Sequence, residues 1–408
     1  MSMIYEVINP GNVSGVDIAV FIPSYEEEAN IAVPVKKAAM GLSKFYPDLS
    51  SVIVNCDNLA GDHTKEAFFQ AECEIPRIYV STPPGVRGKG ANLKNVYQLA
   101  ADLSAQIVVV LDANLISIKS TWIPRLIDPI LSGGFEYVAP LYVRHRFDTP
   151  ITRGLAYPLN RALFGRRVVQ PISTDHAFSA RINEVYRQAD WDIDDRGYKS
   201  DLRMLALAVI NQAPICQSFM AHPRVTTMAS LDYNLSKAFA YVIQAQFNLM
   251  LETRDFWAGI TRSRPTAVAG ADLEVGNPPP LVEVNIDKLT RGFIDLGRQY
   301  REVWRQYFDA ALFAEVDREL SAAQTGKLPE MGVELWRPVI FQASAAYKDA
   351  APEARPQLAA SLAPLFFAKG LTAYVLTEKM SEQQYNALME SEALYFEQGK
   401  KELVAAWS

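Results

Sequence analysis

Two polar side chains with metal-binding character follow a strongly apolar segment of the chain. Residues 106–114 are Gln-Ile-Val-Val-Val-Leu-Asp-Ala-Asn, so an uninterrupted apolar run leads directly to Asp112 and, two positions later, Asn114. The run predicts a buried strand of a parallel sheet. Oxygen ligands at the carboxyl end of such a strand suit a hard divalent cation, which can neutralise a diphosphate. The alternative is a strand that ends in an ordinary polar turn.

Acidic side chains also follow two earlier predicted strands. The first of these strands leads into the segment Pro23-Ser24-Tyr25-Glu26-Glu27, and the second leads to Asp57. A carboxylate just past a parallel strand can accept hydrogen bonds from a ribose or a base. Glu27 by itself is equally well explained by the preference of acidic residues for the first turn of a helix. Asp57 is a better ligand candidate than Asp62, which we expect to cap a helix.

A basic, glycine-rich loop precedes the strand that ends at Asp112. It consists of Arg87, Gly88, Lys89 and Gly90. Glycines on both sides of a lysine allow the backbone to approach a phosphate closely, and the two cationic side chains attract it. The GxxxxGK[ST] pattern of a nucleotide-binding P-loop is missing. The loop therefore predicts a phosphate contact of another kind.

Alternating strand and helix patterns predict the elements that position these loops. The predicted strands are 17–22, 51–55, 77–80, 106–111 and 137–143, and residues 168–171 are expected to lead into one more. The predicted helices between the first strands are 30–46, 62–71 and 91–105. Strands separated by helices of about a dozen residues indicate βαβ units and a parallel sheet. The fold class is therefore α/β, with a Rossmann-like domain over residues 1–230.

The C-terminal part of the chain has a different character. Helical spacing with many aromatic residues dominates residues 231–408, interrupted by a crossover at about 261–285 that is rich in proline and glycine. Three consecutive prolines, Pro278 to Pro280, cannot be helical and predict an extended connection. We therefore expect an α-helical C-terminal region, whose long aromatic-rich helices can also bury the interface of a homodimer.

Composition excludes several classes of protein. The net charge of −6 among 408 residues and a pI near 5.5 argue against a nucleic-acid binder, which usually has a basic face. Cys56, Cys73 and Cys216 show neither pairing nor metal spacing, as in a reducing compartment. With no leader pattern and no run of about 20 apolar residues, we expect a soluble, cytoplasmic protein without a membrane partner.

The order of these segments resembles that of the GT-A nucleotide-sugar glycosyltransferases. Residues 23–31 (PSYEEEANI) stand where that family has a P-x-x-N-E-E segment. Asp57 stands where it has an acidic base contact, and residues 112–114 (DAN) where it has Asp-x-Asp. The loop at residues 87–90 (RGKG) narrows the resemblance to the retaining enzymes that make glucosylglycerate, mannosylglycerate and glucosyl-3-phosphoglycerate. The similarity covers about residues 17–230.

The resemblance implies a role for each residue that matches a family position. The implied nucleotide-sugar site comprises Pro23, Tyr25, Glu27, Asp57, Arg87, Gly88, Lys89, Asp112 and Ala113. The implied acceptor-binding residues are Arg153, Asp175 and Asp201, and the implied metal ligands are Asp112, Asn114 and His222. Of these residues, Lys89 and Asp201 are the expected catalytic pair.

The activity implied is a metal-dependent transfer of a hexose with retention of the anomeric configuration. The donor would be a GDP-, UDP- or ADP-hexose, with glucose favoured over mannose, and the cofactor would be Mg²⁺ or Mn²⁺. The acceptor would be D-glycerate or 3-phosphoglycerate, and the product a compatible solute or its precursor. Two departures from the family pattern bear on this expectation. Asn114 replaces the second aspartate, which removes one ligand charge, and Glu26 replaces the usual asparagine.

Three alternative functions share parts of this pattern. A sugar nucleotidyltransferase has a similar α/β core, but the chain has no glycine-rich loop containing arginine directly after its first strand. A glycosyltransferase acting on lipid or polysaccharide would be expected to carry a membrane segment or a basic amphipathic helix. A sugar-nucleotide sensor without activity is favoured by Asn114, and it predicts nucleotide binding without metal-dependent turnover.

Overall fold

Two compact units make up the chain, and each is formed by several segments. The computed structural model describes residues 3–408 except 60, 194, 196, 197 and 228–233. The first unit comprises Met1–Arg144, Gln170–Leu231 and Thr266–Pro280, and the second comprises His145–Val169, Asp232–Pro265 and Leu281–Ser408. The expected domain boundary at residue 230 lies outside the described residues, as does Gly197 in the segment that leads to Asp201. A division into two domains at that point stays a prediction.

A mixed sheet forms the centre of the first unit. Within the described residues its strands are β1 (Glu6–Ile8), β2 (Ile18–Ser24), β3 (Ser51–Asp57), β4 (Arg77–Ser81), β5 (Ile107–Val110), β6 (Tyr137–Val143), β7 (His176–Ser179), β8 (Ile215–Pro223) and β9 (Ala267–Ala269). Their order across the sheet is β1-β4-β3-β2-β5-β7-β6-β8-β9. Strands β2 to β5 are parallel to one another, whereas β7 runs antiparallel between β5 and β6.

Helices follow most strands and fill the second unit. The described helices are α1 (Ala32–Phe45), α2 (Thr64–Gln70), α3 (Lys89–Asp102), α4 (Trp122–Leu131), α5 (Tyr157–Phe164), α6 (Ala180–Gln188), α7 (Tyr198–Ile210), α8 (Leu235–Glu252), α9 (Arg254–Trp257), α10 (Ile286–Tyr307), α11 (Ala310–Gln324), α12 (Val333–Asp349), α13 (Arg355–Ser361), α14 (Ala363–Thr377), α15 (Glu382–Gln398) and α16 (Lys400–Ala406). A π-helical turn at Thr152–Ala156 precedes α5.

The sheet is buried on both faces because helices cover each of them. Alternate residues of β2, namely Ile18, Val20 and Ile22, lie in one core cluster with apolar side chains of α1 and α4. Helix α3 packs against β2, β3 and α6. All four residues of β5 are buried. The α/β class and the α-helical C-terminal region predicted from the sequence are therefore confirmed.

Two strands differ from the sequence prediction. Residues 168–171 are expected to lead into a further strand, and that strand is β7, which begins five residues later at His176–Ser179. Strand β9 lies within the segment predicted as a crossover, where it pairs with β8. It is a strand of three residues at the edge of the sheet, a position that tolerates neighbouring prolines and glycines.

The second unit has an aromatic core of its own. The rings of Phe239 and Phe366 stack at 4.4 Å between centroids, and Trp336 packs against both. The indole N–H of Trp336 donates to the Gly154 carbonyl at 2.8 Å. One stretch of the described chain, Arg355–Thr377, is long and apolar enough to cross a membrane, although 67% of its apolar window is buried inside the protein. Such burial is typical of a core helix in a soluble protein.

Candidate active site

Parallel pairing brings the predicted ligand loops to one edge of the sheet. Ser24 at the end of β2 is in register with Asp57 at the end of β3. On its other side, β2 pairs with β5 as far as Phe21 and Val110, and Asp112 lies two residues beyond Val110. Pro23 has no backbone N–H to donate, but β2 no longer pairs with β5 at that residue, so no hydrogen bond between these two strands is lost. The carboxyl ends of three neighbouring strands therefore surround the candidate site.

Asp57 is held rigidly at the end of β3. Its Oδ1 accepts a hydrogen bond from the Ser24 hydroxyl at 2.7 Å, and its Oδ2 accepts one from the Tyr79 hydroxyl at 3.1 Å. The Asp57 side chain is buried. Nearby in the sequence, Arg87 lies over the Tyr25 ring at 5.3 Å, a cation–π contact between two of the predicted nucleotide-binding residues.

Glu27 lies in a buried environment rich in carboxylates. It accepts a hydrogen bond from the Asn30 amide at 2.8 Å, and its backbone N–H donates to the Thr64 hydroxyl at 2.9 Å. Burial raises the pKa of Glu27, and the nearby charges of Asp112 and Asp62 raise it further. Three acidic groups are therefore close enough to interact, and a cation or the positive groups of a ligand would relieve their repulsion.

The preceding residue, Glu26, is one of the two departures from the family pattern. Glu26 adopts φ = 57°, in the left-handed region, where asparagine and glycine are accommodated more readily than glutamate. The family asparagine would therefore fit this backbone with less strain. Glu26 is exposed, so the departure changes the surface beside the site rather than its buried groups.

Lys89 is the first residue of α3 and forms a buried ion pair. Its ammonium donates to Asp201 Oδ1 and, at 3.0 Å, to the Thr174 hydroxyl. Burial raises the pKa of Asp201 to about 6, even though the Lys89 charge acts in the opposite direction. The charge of Asp112 also contributes to this increase, which places Asp112 near the ion pair. The two residues predicted to be catalytic are thus in direct contact.

The glycines beside Lys89 allow other parts of the main chain to pack closely against the start of α3. A Cβ added at Gly88 would lie 2.2 Å from the Ile193 carbonyl oxygen, and one at Gly90 would lie 1.9 Å from the Asp192 carbonyl oxygen. The backbone N–H of Gly88 donates to Asn58 Oδ1 at 3.1 Å. The adjacent main chain therefore fills the space that the missing side chains of these glycines leave. A contact of this loop with phosphate stays a prediction.

Asp112 is paired with an arginine that the sequence analysis did not identify. Arg224 donates from Nη2 to Asp112 Oδ2 at 2.6 Å and from Nε to Asp175 Oδ2 at 2.6 Å. Asp175 Oδ1 accepts the backbone N–H of Asp112 at 2.8 Å, and Asp175 Oδ2 accepts the Tyr142 hydroxyl at 2.7 Å. Burial alone would raise the pKa of Asp175, but Arg224, Tyr142 and the Asp112 amide hold it below its usual range.

This network affects the predicted acceptor role of Asp175. The residue is fully buried, and both of its oxygens accept hydrogen bonds from protein groups. In this arrangement it positions Arg224 and the end of β5, and it presents no exposed atom to an acceptor. Acceptor binding by Asp175 stays a prediction.

The donor atoms near Asp112 suit a hard divalent cation that a diphosphate also binds. Asn114 is buried, and its Oδ1 has no hydrogen-bond partner within the described part of the chain. Among the described residues, no group of three or more His, Cys, Asp or Glu side chains could hold a metal ion alone. Mg²⁺ is commonly held by one or two carboxylates together with substrate phosphates and water. The oxygens of Asp112 and Asn114 fit that pattern.

His222 has an environment with positive rather than negative neighbours. Burial lowers its pKa, and Lys119 and Arg125 lower it further. Its ring lies so close to Gly276 that a Cβ there would come within 2.1 Å of His222 Cε1. A neutral imidazole can act as a metal ligand, and these neighbours favour the neutral form. The role of His222 as the third ligand stays a prediction.

Arg153 belongs to the second unit, in the π-helical turn that precedes α5. Its guanidinium lies over the Tyr385 ring at 5.0 Å. The side chain is therefore held by an aromatic contact within its own unit. Acceptor binding by Arg153 stays a prediction that depends on the sequence resemblance alone.

The functional candidates that the sequence analysis missed are Arg224, Tyr142 and Thr174. Each acts on a residue that the sequence did identify, namely Asp112, Asp175 or Lys89. One local signal for Arg224 was available, because it lies only two residues beyond His222. Its pairing with a residue 112 positions away could not be inferred from spacing.

Comparisons with known proteins give structural likenesses only. No protein-family profile and no curated protein sequence matches the chain. A crystal structure of a mycobacterial protein is 24% identical, with a TM-score of 0.46 over 59% of this chain and 75% of that chain. Glucosyl-3-phosphoglycerate synthase from Mycobacterium tuberculosis, solved with Mn²⁺, UDP and glucosyl-3-phosphoglycerate, is 25% identical, with a TM-score of 0.45 over 58% of this chain and 80% of that chain. At these TM-scores the likenesses establish no family membership for the chain.

Proposed function

We propose that the protein is a metal-dependent glycosyltransferase that moves a hexose from a nucleoside diphosphate sugar to a small anionic acceptor of the glycerate type. The observation that carries this proposal is the position of Asp112 at the end of β5. Its charge raises the pKa values of both Glu27 and Asp201, so it lies near the predicted nucleotide loop and near the Lys89 ion pair. The order of motifs along residues 17–230 supports the same activity.

The chemistry requires negative charge on a departing diphosphate to be stabilised. Asp112 and Asn114 would hold the cation, which when bound supplies positive charge beside the two phosphates. The Lys89 ammonium acts on the same charge, and its contacts with Asp201 and Thr174 fix its position before the donor arrives. A donor group that is already oriented costs no reorganisation when the charge develops.

The acceptor hydroxyl must lose a proton as the new glycosidic bond forms. Burial keeps the pKa of Asp201 near 6, in the range where a carboxylate can exchange a proton at neutral pH. The departing phosphate would take this proton on the same face of the sugar as the acceptor. As its bond to the anomeric carbon breaks, the acceptor oxygen bonds to that carbon, and the configuration is retained. Asp201 would hold Lys89 in place and orient the reacting groups.

A screen of donors and acceptors tests the proposal. UDP-, GDP- and ADP-glucose and GDP-mannose would each be incubated with D-glycerate or 3-phosphoglycerate, with Mg²⁺, Mn²⁺ or EDTA. We expect nucleoside diphosphate release and a glycosylated product by mass spectrometry in at least one metal-containing combination, and loss of both with EDTA.

Two controls make the result specific. Asp112→Asn should lower turnover by about 100-fold or more, since it removes the ligand charge. Asp102→Asn changes an exposed carboxylate at the end of α3 and should leave turnover unchanged. If no combination yields product, but nucleoside triphosphate and sugar 1-phosphate release pyrophosphate, the protein is a nucleotidyltransferase and the proposal is wrong.

A further inference from the structure

Arg224 lies against one oxygen of the Asp112 carboxylate, the group that would hold a cation under the proposed function. The guanidinium contacts Asp112 Oδ2 and Asp175 Oδ2 at 2.6 Å each, through Nη2 and Nε. A single planar cation therefore connects Asp112, which follows β5, with Asp175, which precedes the neighbouring strand β7. Its side chain is only 15% exposed, so water screens these contacts weakly.

The backbone of β8 is shaped to deliver this side chain. Pairing between β6 and β8 changes register between Leu141 and Val143, where β8 contains extra residues. Within that irregularity, Ala221 adopts φ = 57°, a left-handed conformation that is unfavourable for alanine. The Ala221 carbonyl accepts the Gly276 N–H at 2.8 Å, which stabilises the bend. Bulges commonly re-aim side chains near functional sites, and the chain reaches Arg224 directly afterwards.

Near Asp112 there are oxygen atoms that could bind a metal ion and that are not fully used by contacts within the protein. Asp112 is 26% exposed at its side chain, and Asn114 Oδ1 is buried without a partner among the residues that the structure describes. Glu27 contributes a further carboxylate nearby. These oxygens suit a divalent cation, but a guanidinium already lies against the carboxylate that the cation needs. Two positive charges at one carboxylate repel each other strongly where solvent screening is weak.

We propose that Arg224 is a positioning residue that acts as the resident counter-cation of Asp112 and competes with a divalent cation for that carboxylate. This inference rests on the proposed function, which assigns Asp112 to the cation. Metal binding then requires Arg224 to release Asp112 while it keeps its second contact with Asp175. The free protein should consequently bind a divalent cation weakly, even though the oxygen ligands are in place.

Binding of Mn²⁺ alone to the full chain tests this inference. The concentration of free Mn²⁺ would be followed by electron paramagnetic resonance during a titration. We expect Arg224→Gln to bind Mn²⁺ at least tenfold more tightly than the wild type, because the competing charge is absent. In the double variant with Asp112→Asn, this gain should disappear. Arg187→Gln, which removes an exposed arginine paired with Glu184, is the matched control and should not change Mn²⁺ affinity.

A weaker or unchanged Mn²⁺ affinity in a folded Arg224→Gln variant would overturn the inference. If that variant does not fold, Arg224→Lys gives the decision, since lysine keeps the charge but cannot bridge two carboxylates as a planar fork does. It should bind Mn²⁺ about threefold more tightly, and equal affinity would overturn the inference. Sugar transfer by the wild type is measured separately. If the wild type transfers sugar but Arg224→Gln gains no Mn²⁺ affinity, only the role of Arg224 is rejected. If Arg224→Gln gains Mn²⁺ affinity but the wild type transfers no sugar, the proposed function is rejected.

Discussion

Lys89 carries a largely buried charge that other side chains of the first unit hold in place. Its ammonium contacts the Asp201 carboxylate and the Thr174 hydroxyl. A buried ion pair usually contributes little net stability, because desolvation offsets most of the attraction. The pair is therefore better explained by a role in the reaction than by a role in stability.

Removal of the Lys89 charge should slow transfer, and it also leaves the Asp201 carboxyl group buried without its partner. We expect Lys89→Met to lower kcat by about 100-fold or more, the usual effect of losing one group that stabilises developing negative charge. The matched control is Lys94→Met on the same helix, a partly exposed lysine, and it should keep kcat within about twofold. Steady-state kinetics with the donor identified by the screen provide the measurement. Equal kcat values for the two variants would remove Lys89 from the reaction.

The raised pKa of Asp201 predicts how activity and stability vary with pH. Below about pH 6 the carboxylate becomes protonated and no longer pairs with Lys89, so kcat/KM should fall as the pH decreases through 6. D-glycerate is the appropriate acceptor for this measurement, because its carboxyl group stays ionised over that range. In Asp201→Asn the inflection near pH 6 should be absent, and activity should be lower at every pH. An inflection that persists in this variant belongs to another group.

Stability should change with pH in the opposite sense. The folded pKa of Asp201 is above the ordinary value of 3.8, so the folded state binds the proton more tightly than the unfolded state. The stabilisation of the folded state by this tighter proton binding is fully present below pH 3.8 and is lost as the pH rises through about 6. The free energy of unfolding of the wild type should therefore fall relative to that of Asp201→Asn between pH 4 and 7. Urea denaturation at several pH values measures the difference.

At the scale of elements, the start of α3 depends on close contact with the loop before α7. Gly90→Ala would place a methyl group 1.9 Å from the Asp192 carbonyl oxygen, so we expect a loss of about 2 kcal/mol or more in the free energy of unfolding. Gly370→Ala is the control, since this glycine is inside α14 and its nearest neighbour would be Leu289 Cδ1 at 3.9 Å. It should stabilise the protein by about 0.5–1 kcal/mol. Similar values for both variants would contradict the packing argument.

The elements that the sequence predicted well are those with local signals. The apolar run before Asp112 is longer than any turn and ends at a polar residue, so β5 and the candidate ligand position follow from it. Strand β6 is found at the predicted residues, 137–143. The helices of the C-terminal region follow from their spacing in the same way.

The features that the sequence could not predict depend on distant neighbours. Strand β7 (His-Ala-Phe-Ser) has no strong strand signal, and its position between β5 and β6 determines its conformation. The contact of Arg224 with Asp112 and the close approach of Asp192 and Ile193 to the glycines beside Lys89 arise only in the folded chain. Each of them adds a neighbour to a residue that the sequence had indicated as a candidate.

At the scale of the whole molecule, the candidate donor site lies within one compact unit. The strands that end at the site and the Lys89 ion pair all belong to the first unit, whereas the second unit has a separate aromatic core. Stabilisation by a ligand should therefore be largest in the segments that contact it. This distinction can be measured along the chain by hydrogen–deuterium exchange.

Binding of a nucleoside diphosphate with Mn²⁺ should slow amide exchange at the carboxyl ends of β2, β3 and β5 and in the first turn of α3. A ligand at 100 times its Kd stabilises the folded state by about 2.7 kcal/mol, enough to slow exchange in these segments by roughly 100-fold if they open together. Amides in α12 and α14, which form the core of the second unit, should change little. UDP and GDP would each be compared with Mn²⁺ alone and with the nucleotide in EDTA, which separates metal from nucleotide effects. Protection confined to the helices of the second unit would show that the strand ends are not the nucleotide site, and the assignments of Glu27, Asp57 and Asp112 would then be wrong.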